Sequence, residues 1–385
     1  MRGATACLEL VATRLQLGIF RPSFTALRSW LLRIGCYALT CELPRGPRVW
    51  LLDHTVQMGA AKLFVVVSCL LSEAPFGERA LQFTDLQLVH VALMAHSTAE
   101  TVKCELEKAA LRTGNPREIV SDQGSDIVAG VKSFIEHADI AYVHDMAHQA
   151  ANLLKQRWSV SDRWSTFTSM LSLTATRLRQ TSEAFVRPPT IRAKARFMNT
   201  KPTLTFATRM LKLLDTNATA RIEQHYGWLR AYRADVINWT SEQSVAEFAV
   251  RQIGVHGVNQ HTAAALERAY ENMTLTNGAE EVAQHMRKLA RVAGNQTSHN
   301  ETLVGSTEVL ESLFGKLKQL EGSYVNEGFT TLTLALGAML GKRTEEQVTE
   351  ALQAIPEKVA VSWLERVIGI TVHQLKMRFV KNSFA

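Results

Sequence analysis

Three acidic residues stand where chemistry is possible. Asp53 closes the apolar run Pro47-Arg-Val-Trp-Leu-Leu-Asp53, Asp122 closes Glu118-Ile-Val-Ser-Asp122, and Glu311 lies in the helical stretch Glu308-Val-Leu-Glu311-Ser-Leu-Phe-Gly-Lys316-Leu-Lys318. A carboxylate at each of two strand ends, with a third on a helix that covers the same sheet, is a donor set for two Mg²⁺ ions a few ångströms apart. Mn²⁺ is the expected substitute. Such a pair of metals serves phosphoryl transfer, bracketing the attacking and leaving oxygens. Two nearby acids, Asp126 and Asp145, read as structural caps, and His54 points to the strand face opposite Asp53.

The elements that position these acids are legible from periodicity. After the strand that ends at Asp53, Lys62–Cys69 reads as a buried strand and the segment around Leu81–Leu93 as a third, giving a β-meander with Asp53 on its central strand. Residues 98–113 form a helix stopped by Gly114-Asn115-Pro116, and Asp122 ends the next short strand. A helix over Ile127–His137, a strand over Ile140–Val143 and a helix from Asp145 to Lys155 complete the order β-β-β-α-β-α-β-α. Residues 22–40 present Leu27, Trp30, Leu31 and Ile34 at helical spacing after a Pro-Ser start. From about 156 to 300 the pattern is helical, with breaks at Pro188-Pro189 and Pro202, and Thr344–Ile355 is one of the helices of the last 50 residues. The expected division is a helical DNA-binding or linker region (1–45), the first part of an α/β core (46–155), a basic helical insertion (156–300), and core completion with C-terminal helices (301–385).

The chain has 385 residues, 43 Lys+Arg against 36 Asp+Glu, and a net charge of +7. That excess is local. Residues 151–240 carry 15 basic and 5 acidic groups, a net of +10, while the flanking regions are slightly acidic. Lys155, Arg157, Arg192, Lys194 and Arg196 are interleaved there with Trp158, Trp164 and Phe197. Basic groups neutralise phosphates and aromatic faces stack on bases, so the mixture suits a nucleic-acid path. Trp228 and Trp239 belong to the same stretch, and most of its tryptophans are expected to pack between helices. The longest apolar stretch, near Leu63–Leu71, is broken by Ser68 and falls short of a membrane helix. Glu9 and Arg14 interrupt the apolar N-terminal run, so export is not expected. Five cysteines without a Cys-x-x-Cys pair read as reduced thiols of a cytoplasmic, nucleoid-associated protein.

The order of these segments resembles the ribonuclease-H-like catalytic domain of DDE transposases, as found in bacterial insertion-sequence elements. The resemblance rests on the acid-ended first strand, the Ser-Asp122-Gln-Gly-Ser-Asp turn and Glu311 followed by Lys318 in a Glu-x6-Lys pattern. It implies an α/β fold, a mixed sheet flanked by helices and interrupted by a mainly helical insertion before the third acid. It also implies that Asp53, Asp122 and Glu311 are the catalytic metal ligands, with Glu308 on the same helix and Glu321 or Glu327 just beyond it as the alternatives to Glu311. Lys318, nearly two helical turns beyond Glu311 and on the same face, is then free to reach a DNA phosphate. Asp145-x-x-His148 is similar to an element that follows the second acid in eukaryotic branches; His148 either orients a phosphate or water there, or is a satisfied buried histidine. The implied activity is metal-dependent cleavage of double-stranded DNA at element ends, followed by attack of the exposed 3′-hydroxyl on target DNA by a homodimer or larger assembly. An inactive DNA-binding relative and a helical scaffold protein without nuclease chemistry are the alternatives.

Overall fold

A computed structural model describes residues 22–58, 60–191, 200–321 and 330–369, with isolated positions 6, 7, 10, 14 and 197. Helix α1 (Phe24–Thr40) begins where the Pro-Ser start places it: the Ser23 hydroxyl accepts the Ala26 N–H at 3.1 Å. Strands β1 (Arg48–Met58), β2 (Ala61–Leu70) and β3 (Gln87–Met94) form the antiparallel meander. Strand β1 runs on past Asp53, which pairs with Val65 of β2, so this acid lies within its strand and not at its end. The third strand is shorter than the sequence suggests. Residues Phe83–Asp85 make a 3₁₀ turn instead, because the Asp85 carboxylate takes both the Gln82 N–H and the Arg79 guanidinium. Helix α2 (Ala99–Thr113) then stops at Gly114, whose φ of +73° a residue with a Cβ rarely adopts. It is followed by β4 (Glu118–Ser121), α3 (Ser125–Ile135) and β5 (Ala141–His144).

The five strands lie in the order β3-β2-β1-β4-β5, with β1 and β4 parallel. On one face of the sheet Trp50, Leu52, Phe64, Val66 and Ile119 join Val102 and Leu106 of α2 and Ile127 and Val131 of α3 in one buried apolar cluster. Burying each such side chain is worth about 1.5–3 kcal/mol, so this face is the anchor of the sheet. The two helices meet closely at Gly130, where an added Cβ would lie 2.6 Å from Val102. By alternation, Asp53 lies on the other face and His54 on the helix-covered one, where its ring lies 5.5 Å from that of Phe64.

Residues 144–306 form a separate compact unit, and residues 1–143 with 307–385 form the other. The inserted unit holds α4 (Met146–Trp158), α5 (Asp162–Leu178), α6 (Lys201–Thr216), α7 (Ala220–Tyr226), α8 (Arg233–His256), α9 (Thr262–Glu271) and α10 (Asn277–Gly294). Pro202 sits in the first turn of α6, where a missing N–H costs nothing. Buried Trp158, Trp164, Phe167 and Trp239 form its aromatic centre, with ring centroids 4.5 Å apart for Trp158–Trp164 and 4.8 Å for Trp164–Trp239. These rings pack between helices, as expected of most of the tryptophans.

The chain re-enters the first unit through α11 (Glu308–Glu321), which packs against β1. Helices α12 (Ala335–Met339), α13 (Glu345–Ala354) and α14 (Glu357–Val367) pack on α1. Arg33 of α1 ties α13 down by donating to the carbonyls of Leu352 and Ile355. Among the described residues no helix is long and apolar enough to cross a membrane.

Candidate active site

The β1–β4 register decides where the first two acids meet. Leu52 pairs with Ser121 in the parallel ladder, and Asp53 and Asp122 each follow by one residue. Neighbouring strands run about 4.8 Å apart, so Asp122, just beyond the end of β4, stands level with Asp53 on β1. Asp53 Oδ1 accepts the His54 N–H at 2.6 Å. Asp122 closes a local turn: its Oδ1 accepts the Gly124 N–H at 3.0 Å, just before α3 begins.

Glycine at 124 lets the two carboxylates beside it come close. A Cβ there would stand 3.1 Å from Asp122 Oδ1 and 3.2 Å from Asp126 Oδ1, so both carboxylates flank the same small space. Asp126 is not the cap the sequence suggests. The N-cap of α3 is Gly124, and Asp126, in the first helical turn, reaches across 64 residues of chain to Lys62 Nζ at 2.7 Å. His54 Nδ1 lies 3.9 Å from the same oxygen, and the Ser97 hydroxyl bonds to His54 Nε2 at 3.1 Å. Burial alone raises the Asp126 pKa, but hydrogen bonds from Lys62 and Ser97, with the charges of His54 and Lys62, outweigh it and bring the carboxyl down to about 2. Burial lowers the His54 pKa, against the pull of Asp126.

Glu311 and Lys318 are both exposed on α11, at the spacing that puts them on one helix face. Among the described residues no three His, Cys, Asp or Glu side chains are grouped closely enough to hold a metal ion. Asp53 and Asp122 are brought to the same level of adjacent strands by the β1–β4 register. Two carboxylates nevertheless fit Mg²⁺, which dehydrates reluctantly and is commonly held by one or two carboxylates together with waters and substrate phosphates.

In the inserted unit, Asp145 caps α4 as expected, accepting the Ala147 N–H at 2.8 Å while its other oxygen accepts from His148 Nδ1 at 2.8 Å. Asp145 is fully buried and His148 partly so, which fixes the imidazole orientation. Arg157 turns inward: its guanidinium donates to Glu242 Oε1 at 3.0 Å and Glu281 Oε2 at 2.6 Å. Trp158 Nε1 donates to the other Glu242 oxygen, so this buried carboxylate is answered from two sides. Arg163, Lys201, Arg221, Arg230 and Arg233 are likewise ion-paired. Lys155, Arg177, Arg179, Arg187, Arg209 and Lys212 are exposed and make no ion pair among the described residues. Arg192, Lys194 and Arg196 lie outside the described residues.

No protein-family model matches the sequence, and no curated protein does. A solved structure, the Drosophila P element transposase strand transfer complex, aligns with a TM-score of 0.41 and 11% identity over 89% of this chain and 92% of that one. Likeness at this level sets neither the fold family nor the activity of this chain.

Proposed function

We propose that the chain is a Mg²⁺-dependent DNA strand-cleaving and strand-transferring enzyme with a ribonuclease-H-like core, of the DDE transposase kind. One observation carries the reading: Asp53 and Asp122 each stand one residue beyond the Leu52–Ser121 register pair of parallel β1 and β4. In this reading the two carboxylates hold metal where β4 ends beside β1, and Glu311 supplies the third ligand from α11. Metal held there would supply Lewis-acid activation of the attacking oxygen and charge neutralisation at the phosphate. The His54 N–H holds one oxygen of Asp53, and the Gly124 N–H holds Asp122, so neither carboxylate has to search for its orientation. Lys318 and the unpaired basic side chains of the inserted unit, Lys155 among them, bind the DNA backbone; Arg157, committed to Glu242 and Glu281, serves the fold.

Asp122→Asn tests this on DNA carrying the element ends. Cleavage is expected to fall by several orders of magnitude with DNA binding retained; cleavage at an unchanged rate sinks the assignment. A second reading, a DNA-binding relative without chemistry, rests on the exposed basic side chains of the inserted unit alone, Arg177 and Arg179 among them. It is separated by the same assay on the unaltered chain, which then binds DNA in a salt-dependent manner and cuts nothing in Mg²⁺ or Mn²⁺.

A further inference from the structure

The Asp126–Lys62 pair has no role in the metal chemistry proposed above, yet with His54 and Ser97 it gathers four separate stretches of chain. Lys62 stands at the start of β2 on the same face as Phe64, the face that α2 and α3 cover. Asp126 is drawn to that face by Lys62 Nζ at 2.7 Å, with Ser97 and His54 completing its surroundings. Asp53, by strand alternation, faces the other way. Asp122 therefore sits between two pulls. Its turn is closed by the Gly124 N–H, and the residue that begins the next helical turn of chain is fastened to the far face of the sheet. Without Lys62, the Asp126 carboxylate loses its cation, and the stretch of chain that also carries Asp122 is released from β2.

We propose that Lys62 and Asp126 form a latch that positions Asp122 for metal, keeping Asp126 itself out of the metal site. This rests on the reading of Asp53 and Asp122 as metal ligands. Outer partners that orient a metal-binding carboxylate typically contribute about 10- to 100-fold in metal affinity. The latch is half-buried, with Lys62 29% and Asp126 15% exposed at the side chain, so it is screened less than a surface pair.

The test uses the full chain and Mn²⁺ alone, with binding read from the loss of the free-ion electron paramagnetic resonance signal. Lys62→Met is expected to weaken Mn²⁺ binding about 10-fold, and Lys62→Arg to restore it. Asp126→Asn, which breaks the same latch from the helix side with little change of shape, is expected to weaken it likewise and covers the case of a Lys62→Met chain that does not fold. Glu105→Gln is the control: it breaks the ion pair with His90 in the same unit, and should lower melting temperature without moving Mn²⁺ affinity. Unchanged Mn²⁺ binding in the Lys62→Met and Asp126→Asn chains overturns the latch, as does tighter binding in Lys62→Met, which places the freed Asp126 among the ligands. Should Asp122→Asn bind Mn²⁺ as well as the unaltered chain, the metal-site reading itself falls; weaker binding in Asp122→Asn with no change at Lys62 and Asp126 removes the latch alone.

Discussion

At the scale of single residues, the space around Gly124 is the most constrained part of the candidate site. Its added Cβ would press on the carboxylates of Asp122 and Asp126 at once. Gly124→Ala should therefore reduce strand cleavage far more than it reduces stability, a split measured by comparing turnover with the midpoint of urea unfolding. Asp126 has its own pH signature. A carboxyl held at about 2, against a normal value of 3.8, stabilises the fold above the normal value and loses that contribution as pH falls from about 4 to about 2. Acid unfolding of Asp126→Asn should be correspondingly flatter across that interval, followed by circular dichroism. Asp53 and Asp122 were legible in the sequence because each ends an apolar run. The bond between Lys62 and Asp126 was not, since nothing in local spacing links residues 64 apart, and a carboxylate two residues after a glycine reads first as a cap.

Among the elements, the β-β-β-α-β-α-β order could be read from hydrophobic period and from stops such as Gly114-Asn115-Pro116, because most of each strand is buried. The start of β3 could not. Residues 81–86 look strand-like in composition, but the Arg79–Asp85 bonds fold Phe83–Asp85 into a turn, and side-chain bonds of that kind leave no periodic trace. The crossing of α1 with α12 was equally hidden. Gly35 and Gly337 allow the backbones to touch: a Cβ on Gly35 would lie 1.7 Å from the Leu334 carbonyl oxygen, and one on Gly337 would lie 2.8 Å from that of Gly35. Gly35→Ala should cost about 3 kcal/mol or more, since backbone cannot move aside as a flexible side chain does. Urea denaturation of the two chains gives the difference directly.

For the molecule as a whole, the +10 block of residues 151–240 is less free than its composition suggests. Arg157, Arg163, Lys201, Arg221, Arg230 and Arg233 pair with acids of their own unit, several of which lie outside the block in sequence. Charge counting located the basic region but not its internal neutralisation. The exposed remainder gives two classes of variant. Removing Arg177 and Arg179 together should lower the slope of log affinity for DNA against log salt by about 0.9 for each phosphate no longer neutralised, with stability unchanged. Replacing Arg157 should do the opposite, unfolding the inserted unit more readily because Glu242 is left buried without its partner, and leaving the slope intact. Fluorescence anisotropy over a salt series distinguishes the two.

The packing of α1 against α12, α13 and α14 also has a temporal meaning. Roughly 300 residues separate α1 from α12, and a ribosome adding about 5–20 residues per second needs about 15 to 60 s to make them. Throughout that time the face of α1 that α12, α13 and α14 cover has been made and those three partners have not, although β3 and Arg112 already hold α1. A message truncated after residue 334 therefore yields a chain whose α1 keeps β3 but lacks α12, α13 and α14, and its product should partition into the insoluble fraction to a greater extent than the 385-residue chain.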